Sequence, residues 1–392
     1  MRADPYITPL TVSTIGPAFL RPCDDRRAAT GEHPIAEINT MKQKVKVGIV
    51  GLGAIGKVHA DAYAHCATAE LTALCDVDAG RLAELSEKYQ VKARFTDYRA
   101  LLKTDVEAVS ICVGNHLHRD VAVAALRAGK HVLLEKPMAM HVGQAADIIA
   151  VQKKARKVVQ IGMVNRQKPE AQLIREAVQS GRLGEIYHMR AVLIRRRGIP
   201  GLGGWFTTKA VSGGGPLIDI GVHWFDLCMY LSGQWHPTSV SAMTYAKFGA
   251  NMRSYKYVSM WAGPPNYAGV CDVEDYATGL VRFGRKATLS FEIAWAANTE
   301  ESAYIELMGD KGGVRAMDGK PLKILTEYEG RVADIIPQFN ANSNIFHAQA
   351  AKFLAACRGE CPPAATAAEG LIVMRLIDGI YKSAKSGQEM AL

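Results

Sequence analysis

The sequence lacks three features that would point to other classes of protein. Its eight cysteines include no C-x-x-C pair, which excludes a zinc ribbon and a thioredoxin-like redox pair. No segment approaches the roughly 18 uninterrupted apolar residues that a membrane-spanning helix needs. No helix-turn-helix pattern is recognisable. Scattered cysteines are typical of reduced thiols, so we expect a cytoplasmic protein without a membrane partner. The cysteines are Cys23, Cys66, Cys75, Cys112, Cys228, Cys271, Cys357 and Cys361.

The sequence also lacks a long run of residues that carry the same charge. Lysine and arginine number 47 against 38 aspartate and glutamate residues, for a formal net charge of +9. The basic residues are spread along the chain, and the one tight cluster, 195–197, lies in a strand-like stretch. Nucleic-acid-binding proteins gather such residues on one face or helix. We therefore expect no nucleic-acid partner, and we favour attraction of an anionic substrate or cofactor over nucleic-acid binding.

Composition and length predict a globular protein of two domains. Hydrophobic residues make up 48% and charged residues 22% of the 392 residues, which suffices for a substantial core. Residues 1–43 differ, because they carry five prolines without clear periodicity. We expect this extension to be disordered. The remainder divides into a first domain over 44–162 and a second over 163–392.

Strands and helices alternate throughout the first domain. Short apolar runs are separated by helical segments of about ten residues, a pattern that favours a parallel sheet covered on both faces. The sequence therefore predicts an α/β, doubly wound nucleotide-binding domain of the Rossmann type. The predicted strands cover 46–50, 70–76, 93–95, 107–113, 131–135 and 158–162.

A glycine cluster lies where the first strand turns into the first helix. Gly51, Gly53 and Gly56 have the spacing G-x-G-x-x-G, and Ala54 and Ile55 complete the turn. Gly51 allows a tight turn, Gly53 lets backbone amides approach a pyrophosphate, and Gly56 lets helix and strand pack closely. The alternative is a tight turn that binds no ligand, which could have the same glycine spacing. The strand, the helix and the acidic residue described next favour a dinucleotide site.

Asp76 ends the second predicted strand, 20 residues after Gly56. An acidic residue at this interval accepts hydrogen bonds from the adenine-ribose hydroxyls in dinucleotide-binding folds. Its carboxylate repels a 2′-phosphate, so we expect NAD rather than NADP. Arg81 nearby weakens this preference slightly.

Two further segments resemble a known family. VGNHLHRDVAVAALRAGKHVLLEKPMA (113–139) contains Glu135-Lys136-Pro137, and GGGPLIDIGVHWFDL (213–227) carries Asp219 and His223 four residues apart. Both are similar to segments of the Gfo/Idh/MocA oxidoreductases, the family of glucose-fructose oxidoreductase and inositol dehydrogenase. The resemblance runs from about residue 45 to the C-terminus.

The resemblance implies further properties of the chain. It implies that the second domain is α/β, with a largely antiparallel open sheet that binds substrate and mediates homodimer or homotetramer contacts. It also implies that Asn115 and His118 line the nicotinamide side; ordinary capping of a helix N-terminus is the alternative for both residues. Glu135 is implied to contact the nicotinamide ribose through its backbone or side chain. Strands are predicted near 185–197, 238–247, 277–283, 286–293 and 302–308.

Three polar residues are candidates for the chemistry. Lys136 follows the fifth strand, at the edge of the sheet where such folds bind ligands, and its ammonium can stabilise a developing alkoxide. Asp219 and His223 are predicted to lie one above the other on a helix face. His223 titrates near neutrality and is suited to exchange the hydroxyl proton. The alternative is that Asp219 and His223 only satisfy a buried helix. Since they offer only two ligands, we expect no metal.

Other polar and aromatic residues are weaker candidates. Arg197 and Trp205 precede the predicted helix and suit a sugar ring or the cofactor amide; ordinary core or surface packing is the alternative. Arg166, after the sixth strand, is predicted to reach the cleft between the domains. His347 opens a C-terminal amphipathic helix, where it either points at substrate or is an ordinary helix-start residue.

These features predict an NAD-dependent oxidoreductase. It would transfer hydride between nicotinamide and a secondary hydroxyl of a sugar, glycoside or cyclitol. Because ring oxidation acidifies a neighbouring C–H bond, redox-assisted glycoside cleavage is an alternative reaction. A noncatalytic sensor that binds NAD(P) is an alternative of another class. The presence of Lys136, Asp219 and His223 together argues against the sensor.

Overall fold

The structure is a computed structural model that describes residues 43–258, 260–317, 319–339 and 344–392. Residues 1–42 of the predicted extension lie outside this part of the chain. Within the described ranges, no helix combines the length and apolar character needed to cross a membrane.

The first domain is built on a six-stranded parallel sheet. Its strands follow the order β3-β2-β1-β4-β5-β6. The central strands are almost fully buried, because helices cover both faces of a parallel sheet. This confirms the predicted doubly wound fold. The strands are β1 (Val45–Val50), β2 (Ala69–Cys75), β3 (Ala93–Phe95), β4 (Ala108–Ile111), β5 (His131–Leu134) and β6 (Val159–Ile161).

Aspartate side chains cap two helices of this domain. The Asp78 side chain accepts the backbone N–H of Arg81 at the start of α2, and Asp97 caps α3 in the same way. Gly53 at the start of α1 has no side chain, so the first amides of that helix have no side-chain cap. The helices are α1 (Ala54–Ala64), α2 (Ala79–Lys88), α3 (Tyr98–Leu101), α4 (His118–Arg127) and α5 (Val142–Ala155).

The second domain contains a nine-stranded mixed sheet in the order β14-β13-β12-β11-β7-β10-β9-β8-β15. Strands β7 and β10 pair in parallel and the other neighbours are antiparallel. This confirms the predicted largely antiparallel sheet. The strands are β7 (Ile186–Ile194), β8 (Ser239–Tyr245), β9 (Tyr276–Phe283), β10 (Ala287–Ala294), β11 (Ser302–Gly309), β12 (Gly313–Ala316), β13 (Lys323–Tyr328), β14 (Arg331–Ile335) and β15 (Met390–Ala391).

Helices of the second domain cover one side of this sheet and return to the first domain. They are α6 (Pro169–Gln179), α7 (Lys209–Ser212), α8 (Val222–Ser232), α9 (Ile345–Cys357) and α10 (Ala367–Ser386). Thr366 and Glu369 form a reciprocal capping box at the start of α10. Helix α9 packs on α1, and its Phe353 and Leu354 are buried in the core of the first domain. The C-terminal segment thus contributes to both domains.

Candidate active site

The glycine turn has the shape of a dinucleotide cradle. Gly51 has φ +92°, and a Cβ there would lie 2.4 Å from the backbone oxygen of Cys112. A Cβ on Gly56 would lie 2.0 Å from the oxygen of Gly51, so only glycine fits at either position. Gly53 instead faces open space, with nothing within 4 Å of its ideal Cβ. Since α1 begins beside it with uncapped amides, the turn fits the pyrophosphate of NAD.

Two positions of the turn contribute backbone rather than side chains. Ala54 and Ile55 form the first residues of α1, with Ala54 exposed and Ile55 half-buried. Their amides belong to the uncapped N-terminus of the helix, which carries a partial positive charge. An anion is favoured at this point.

Asp76 lies against the glycine turn, directly after β2. Its Oδ2 accepts the backbone N–H of Leu52 (2.6 Å), and its Oδ1 accepts that of Asp78 (2.8 Å). The Arg81 guanidinium is 3.7 Å from Oδ2. Although the carboxylate is buried, each oxygen retains a further lone pair for a ribose hydroxyl. The contact with Leu52 ties the position of the acid to the turn.

The side chain of Lys136 reaches across to the second domain. Its Nζ donates to the backbone oxygen of Asp219 (2.9 Å) and to the Asp219 carboxylate oxygen Oδ1 (3.2 Å). Trp295, directly after β10, donates its indole N–H to the other carboxylate oxygen (3.1 Å). The Asp219 side chain is about one-tenth exposed and that of Lys136 about one-fifth. The ammonium is therefore held in one place at the interface of the two domains.

Asp219 lies in a π-helical turn, Leu217–Gly221, that precedes α8. Asp219 and His223 are therefore separated by a π-turn that runs into an α-helix, rather than lying within one α-helix. The buried Glu274 carboxylate accepts the backbone N–H groups of Gly215 (3.1 Å) and Leu217 (3.2 Å) at the start of the turn. Tyr381 donates its hydroxyl to Glu274. The turn is thus fixed at its beginning by a buried acid that the sequence did not single out.

His223, in the first turn of α8, is half-buried, and its Nδ1 atom is buried without a hydrogen-bond partner. Burial holds its pKa well below 6.5, and the positive charges of Lys136 and Lys168 lower it further. The expectation that His223 titrates near neutrality is therefore wrong. The imidazole is neutral at pH 7, the form that accepts a proton.

Glu135 belongs to a buried polar network beneath the sheet edge. Its Oε1 is hydrogen-bonded to Nε2 of His59 (3.0 Å), and its Oε2 accepts the backbone N–H of Lys136 (3.3 Å). Ser110 contacts Nδ1 of His59 (3.1 Å) and the hydroxyl of Tyr63 (2.7 Å). This places the Glu135 side chain on the His59 imidazole rather than in an open position for the nicotinamide ribose. The spacing of His59 and Glu135, 76 residues apart, gave no signal of this pair.

The surroundings of His59 raise the pKa of its imidazole. Burial alone would lower the pKa of His59, but Cys112 and the hydrogen-bonded Glu135 carboxylate outweigh burial and raise the pKa to about 10. The hydrogen bond to Glu135 offsets part of the cost of burying the His59 imidazole. The network joins α1, which follows the glycine turn, to the turn that carries Lys136.

Asn115 and His118 lie at the end of β4. Asn115 donates its amide to the backbone oxygen of Ser212 (2.8 Å) and so connects the two domains. His118 is 1% exposed, and its ring nitrogens lie 2.7 Å from the oxygen of Pro137 and 3.0 Å from that of Val113. The expectation that His118 lines the nicotinamide side is corrected, because both nitrogens are occupied by backbone. Its role in this structure is to fasten the turn after Lys136.

Arg166 does not reach an open cleft, which corrects its assignment to substrate. It is 1% exposed and forms a bidentate pair with Asp226 at 2.9 and 2.6 Å. A third contact joins it to Glu369 (3.2 Å). The guanidinium lies over the rings of Tyr230 and Trp235. All of its donors serve the core, where an unpaired guanidinium would be costly.

Arg197 and Trp205 occupy the loop between β7 and α7. The Arg197 guanidinium donates to the backbone oxygens of Arg196 (2.6 Å) and Ala297 (3.1 Å) and lies over the ring of Phe248. It is therefore fastened to the loop before any substrate arrives. Trp205 is 44% exposed and is the more accessible of the two. Its segment leads into α7, which contacts the Asn115 turn.

His347 points at α1 rather than at the Lys136 site. Its Nε2 lies 3.1 Å from the carboxylate of Asp61, and its ring stacks on that of His65. This grouping was not predicted, because His347 is 286 residues away from Asp61. It is also the group among the described residues whose ligand atoms lie close enough to hold a metal ion.

The sequence matches one family over both domains. Residues 45–163 match the Gfo/Idh/MocA family, described as an oxidoreductase family with an NAD-binding Rossmann fold. Residues 171–315 match the C-terminal domain of that family. D-glucoside 3-dehydrogenase of Escherichia coli (strain K12) is 34% identical over 352 residues, which cover 89% of this chain and 97% of the relative.

Solved structures agree with the fold. Aldose-aldose oxidoreductase from Caulobacter crescentus, complexed with glycerol, has a TM-score of 0.75 and 26% identity, covering 89% of this chain and 100% of the other. Levoglucosan dehydrogenase in complex with NADH has a TM-score of 0.77 at 22% identity, covering 89% and 99%. The second likeness concerns the fold alone.

Proposed function

Since the chain belongs to the Gfo/Idh/MocA family of NAD-binding oxidoreductases, we propose that it oxidises a secondary ring hydroxyl of a glycoside, with carbon 3 of a glucoside as the first candidate. The cradle formed by Gly51, Gly53 and Gly56 fits NAD, and the Asp76 carboxylate disfavours a 2′-phosphate. NAD, when bound, supplies the nicotinamide that accepts the hydride. The remaining steps belong to side chains of this chain.

The contact between Lys136 and Asp219 carries the proposal. An ammonium at the end of a sheet strand, held by a carboxylate of the opposite domain, lies where the two domains meet. As a substrate carbon loses hydride, its oxygen develops negative charge, and a preoriented ammonium stabilises that charge without reorganising. Trp295 keeps Asp219 in place during this step.

His223 is proposed to accept the hydroxyl proton. Its neutral imidazole is the base form across neutral pH, since burial and the neighbouring lysines lower its pKa. In the reverse direction the imidazolium returns the proton to the carbonyl oxygen. Lys136 and His223 would then act on the same oxygen, one by charge and one by proton transfer.

The substrate class rests on the relatives and on one exposed aromatic ring. A relative that matches this chain over most of its length is named for a glucoside. Trp205 offers an accessible indole in the loop that leads to α7. Aromatic faces bind the C–H side of sugar rings through apolar contact. A cyclitol is the neighbouring class and would use the same groups.

We also infer a homodimer or homotetramer and a cytoplasmic location. Strands β13 and β14 at one edge of the large sheet expose the apolar side chains of Leu325, Tyr328, Val332 and Ile335. Such a patch is typical of a protein interface. The seven described cysteines are free thiols, which supports a reducing compartment.

The test is turnover on a defined panel. The purified protein is incubated with NAD and with methyl and aryl glucosides, free sugars and inositols, and NADH absorbance is followed. We expect a glucoside to be oxidised, with the aglycone retained in a product two hydrogens lighter by mass spectrometry. Lys136→Ala serves as the inactive control. Turnover by Lys136→Ala at the parent rate, or oxidation of none of the panel by a protein that binds NAD, would contradict the proposal.

A further inference from the structure

A cluster of two histidines and one carboxylate lies apart from the residues of the active site. Asp61 lies in the last turn of α1, His65 is the C-cap residue of that helix, and His347 lies in the first turn of α9. One ligand atom from each residue lies within 4.8 Å of the other two. The Asp61 carboxylate is 3.1 Å from Nε2 of His347 and 3.6 Å from Nδ1 of His65.

The two imidazoles are arranged as a parallel pair. Their ring centroids are 4.9 Å apart and their planes differ by 16°. The stacking holds both imidazoles beside the Asp61 carboxylate. The hydrogen bond from His347 lowers the pKa of Asp61, which keeps the carboxylate charged.

The cluster of Asp61, His65 and His347 contributes little to the stability of the fold. The three side chains are 42%, 60% and 32% exposed, in the order Asp61, His65 and His347. Exposed ion pairs contribute about 0–1 kcal/mol, and His65 is not needed to fill the core. The cluster nevertheless holds α9 against α1 at the surface, across 286 residues of sequence.

We propose that Asp61, His65 and His347 bind one divalent transition-metal ion, with zinc as the representative ion. Two imidazole nitrogens and one carboxylate oxygen suit zinc, nickel and copper, whereas magnesium and calcium prefer oxygen ligands throughout. His347 and Asp61 already lie at about the 3.3 Å separation that two ligands of a tetrahedral ion have. His65, the most exposed of the three, offers the third ligand atom.

Binding of the ion would fasten the C-terminal segment to the first domain. Helix α1 begins at the glycine turn, and α9 belongs to the segment that follows the large sheet. An ion that binds both helices stabilises their contact, because only the folded chain brings the ligands together. Three protein ligands leave a fourth position for water.

Zinc titration of the full chain tests the proposal. The tag-free, metal-depleted protein is titrated with zinc chloride by calorimetry and melted with and without zinc. We expect one ion per chain and a higher Tm with zinc. Replacing His65 by alanine should weaken zinc binding by about tenfold or more and abolish the rise in Tm. His347→Ala should do the same, and His236→Ala, at an exposed histidine outside the cluster, should leave both unchanged.

Several results would overturn the proposal. These are no zinc binding in the micromolar range, unchanged one-per-chain binding in His65→Ala, or equal binding of magnesium. His65 is exposed, so its replacement tests the site even if His347→Ala fails to fold. NAD affinity is measured on the same samples and should be equal in all variants, which separates this inference from the proposed oxidoreductase activity.

Discussion

Replacing His223 with alanine should cut turnover while leaving the fold and NAD affinity intact. A positioned general base contributes about 10² to 10⁴ in rate, or about 2.7–5.5 kcal/mol of transition-state stabilisation. The Nδ1 atom of His223 is buried without a partner, so the substitution breaks no hydrogen bond at that atom. We therefore expect the loss to appear in kcat rather than in Tm.

The pH dependence gives a second readout for the same variant. The folded-state pKa of His223 lies well below 6.5, so the imidazole is neutral throughout the neutral range. In the parent, kcat/KM should decrease with falling pH only at pH values below 6.5. The residual activity of His223→Ala should not show this decrease. His223 binds a proton more readily in the unfolded chain than in the folded protein. The free energy of unfolding of the parent should therefore decrease as the pH falls below 6.5, and that of His223→Ala should decrease less.

A matched substitution separates chemistry from packing. His188 is also half-buried with a lowered pKa, but it lies on β7 and bonds to Thr288. His188→Ala should therefore keep the parent kcat, measured with NAD and an established substrate by stopped-flow absorbance. The reasoning fails if His223→Ala turns over like the parent, or if its pH profile is unchanged.

Three other predictions follow from the remaining contacts. Asp76→Ser should weaken NAD and improve NADP in fluorescence titrations, and an unchanged preference would mean that Asp76 does not read the ribose. Arg166→Met leaves the Asp226 carboxylate buried without its partner, so it should lower the free energy of unfolding by about 3–5 kcal/mol in urea melts and leave KM unchanged. A raised KM with unchanged stability would show instead that Arg166 binds the substrate. Light scattering should show a dimer or tetramer, and a monomer at micromolar concentration would contradict the role given to the open sheet.

The sequence predicted those parts of the fold that depend on local pattern. The strands of the first domain appear within two residues of their predicted bounds, because buried parallel strands are short apolar runs between glycines and caps. The role of Gly51 and Gly56 in the turn could also be predicted, because neither position has room for a side chain. The short strands β12–β15 and the helix α10 were not predicted.

Contacts over long sequence separations could not be predicted. Trp295 donates to Asp219 across 76 residues, and Glu274 fixes the π-turn from outside its own segment. Arg166 shows the converse, since a charged residue after a strand looks the same in sequence whether it faces a cleft or pairs with Asp226 in the core. The depressed pKa of His223 likewise depends on burial that only the tertiary structure supplies.

Transfer of deuterium from a labelled substrate tests the central claim most directly. The enzyme is incubated with NAD and a methyl glucoside deuterated at carbon 3, and the reduced cofactor is examined by mass spectrometry and NMR. We predict one deuterium at carbon 4 of the nicotinamide, a 3-keto product that keeps its methyl group, and neither product from Lys136→Ala. Turnover of the labelled glucoside that yields NADH without deuterium, or product formed equally by Lys136→Ala, would contradict the account.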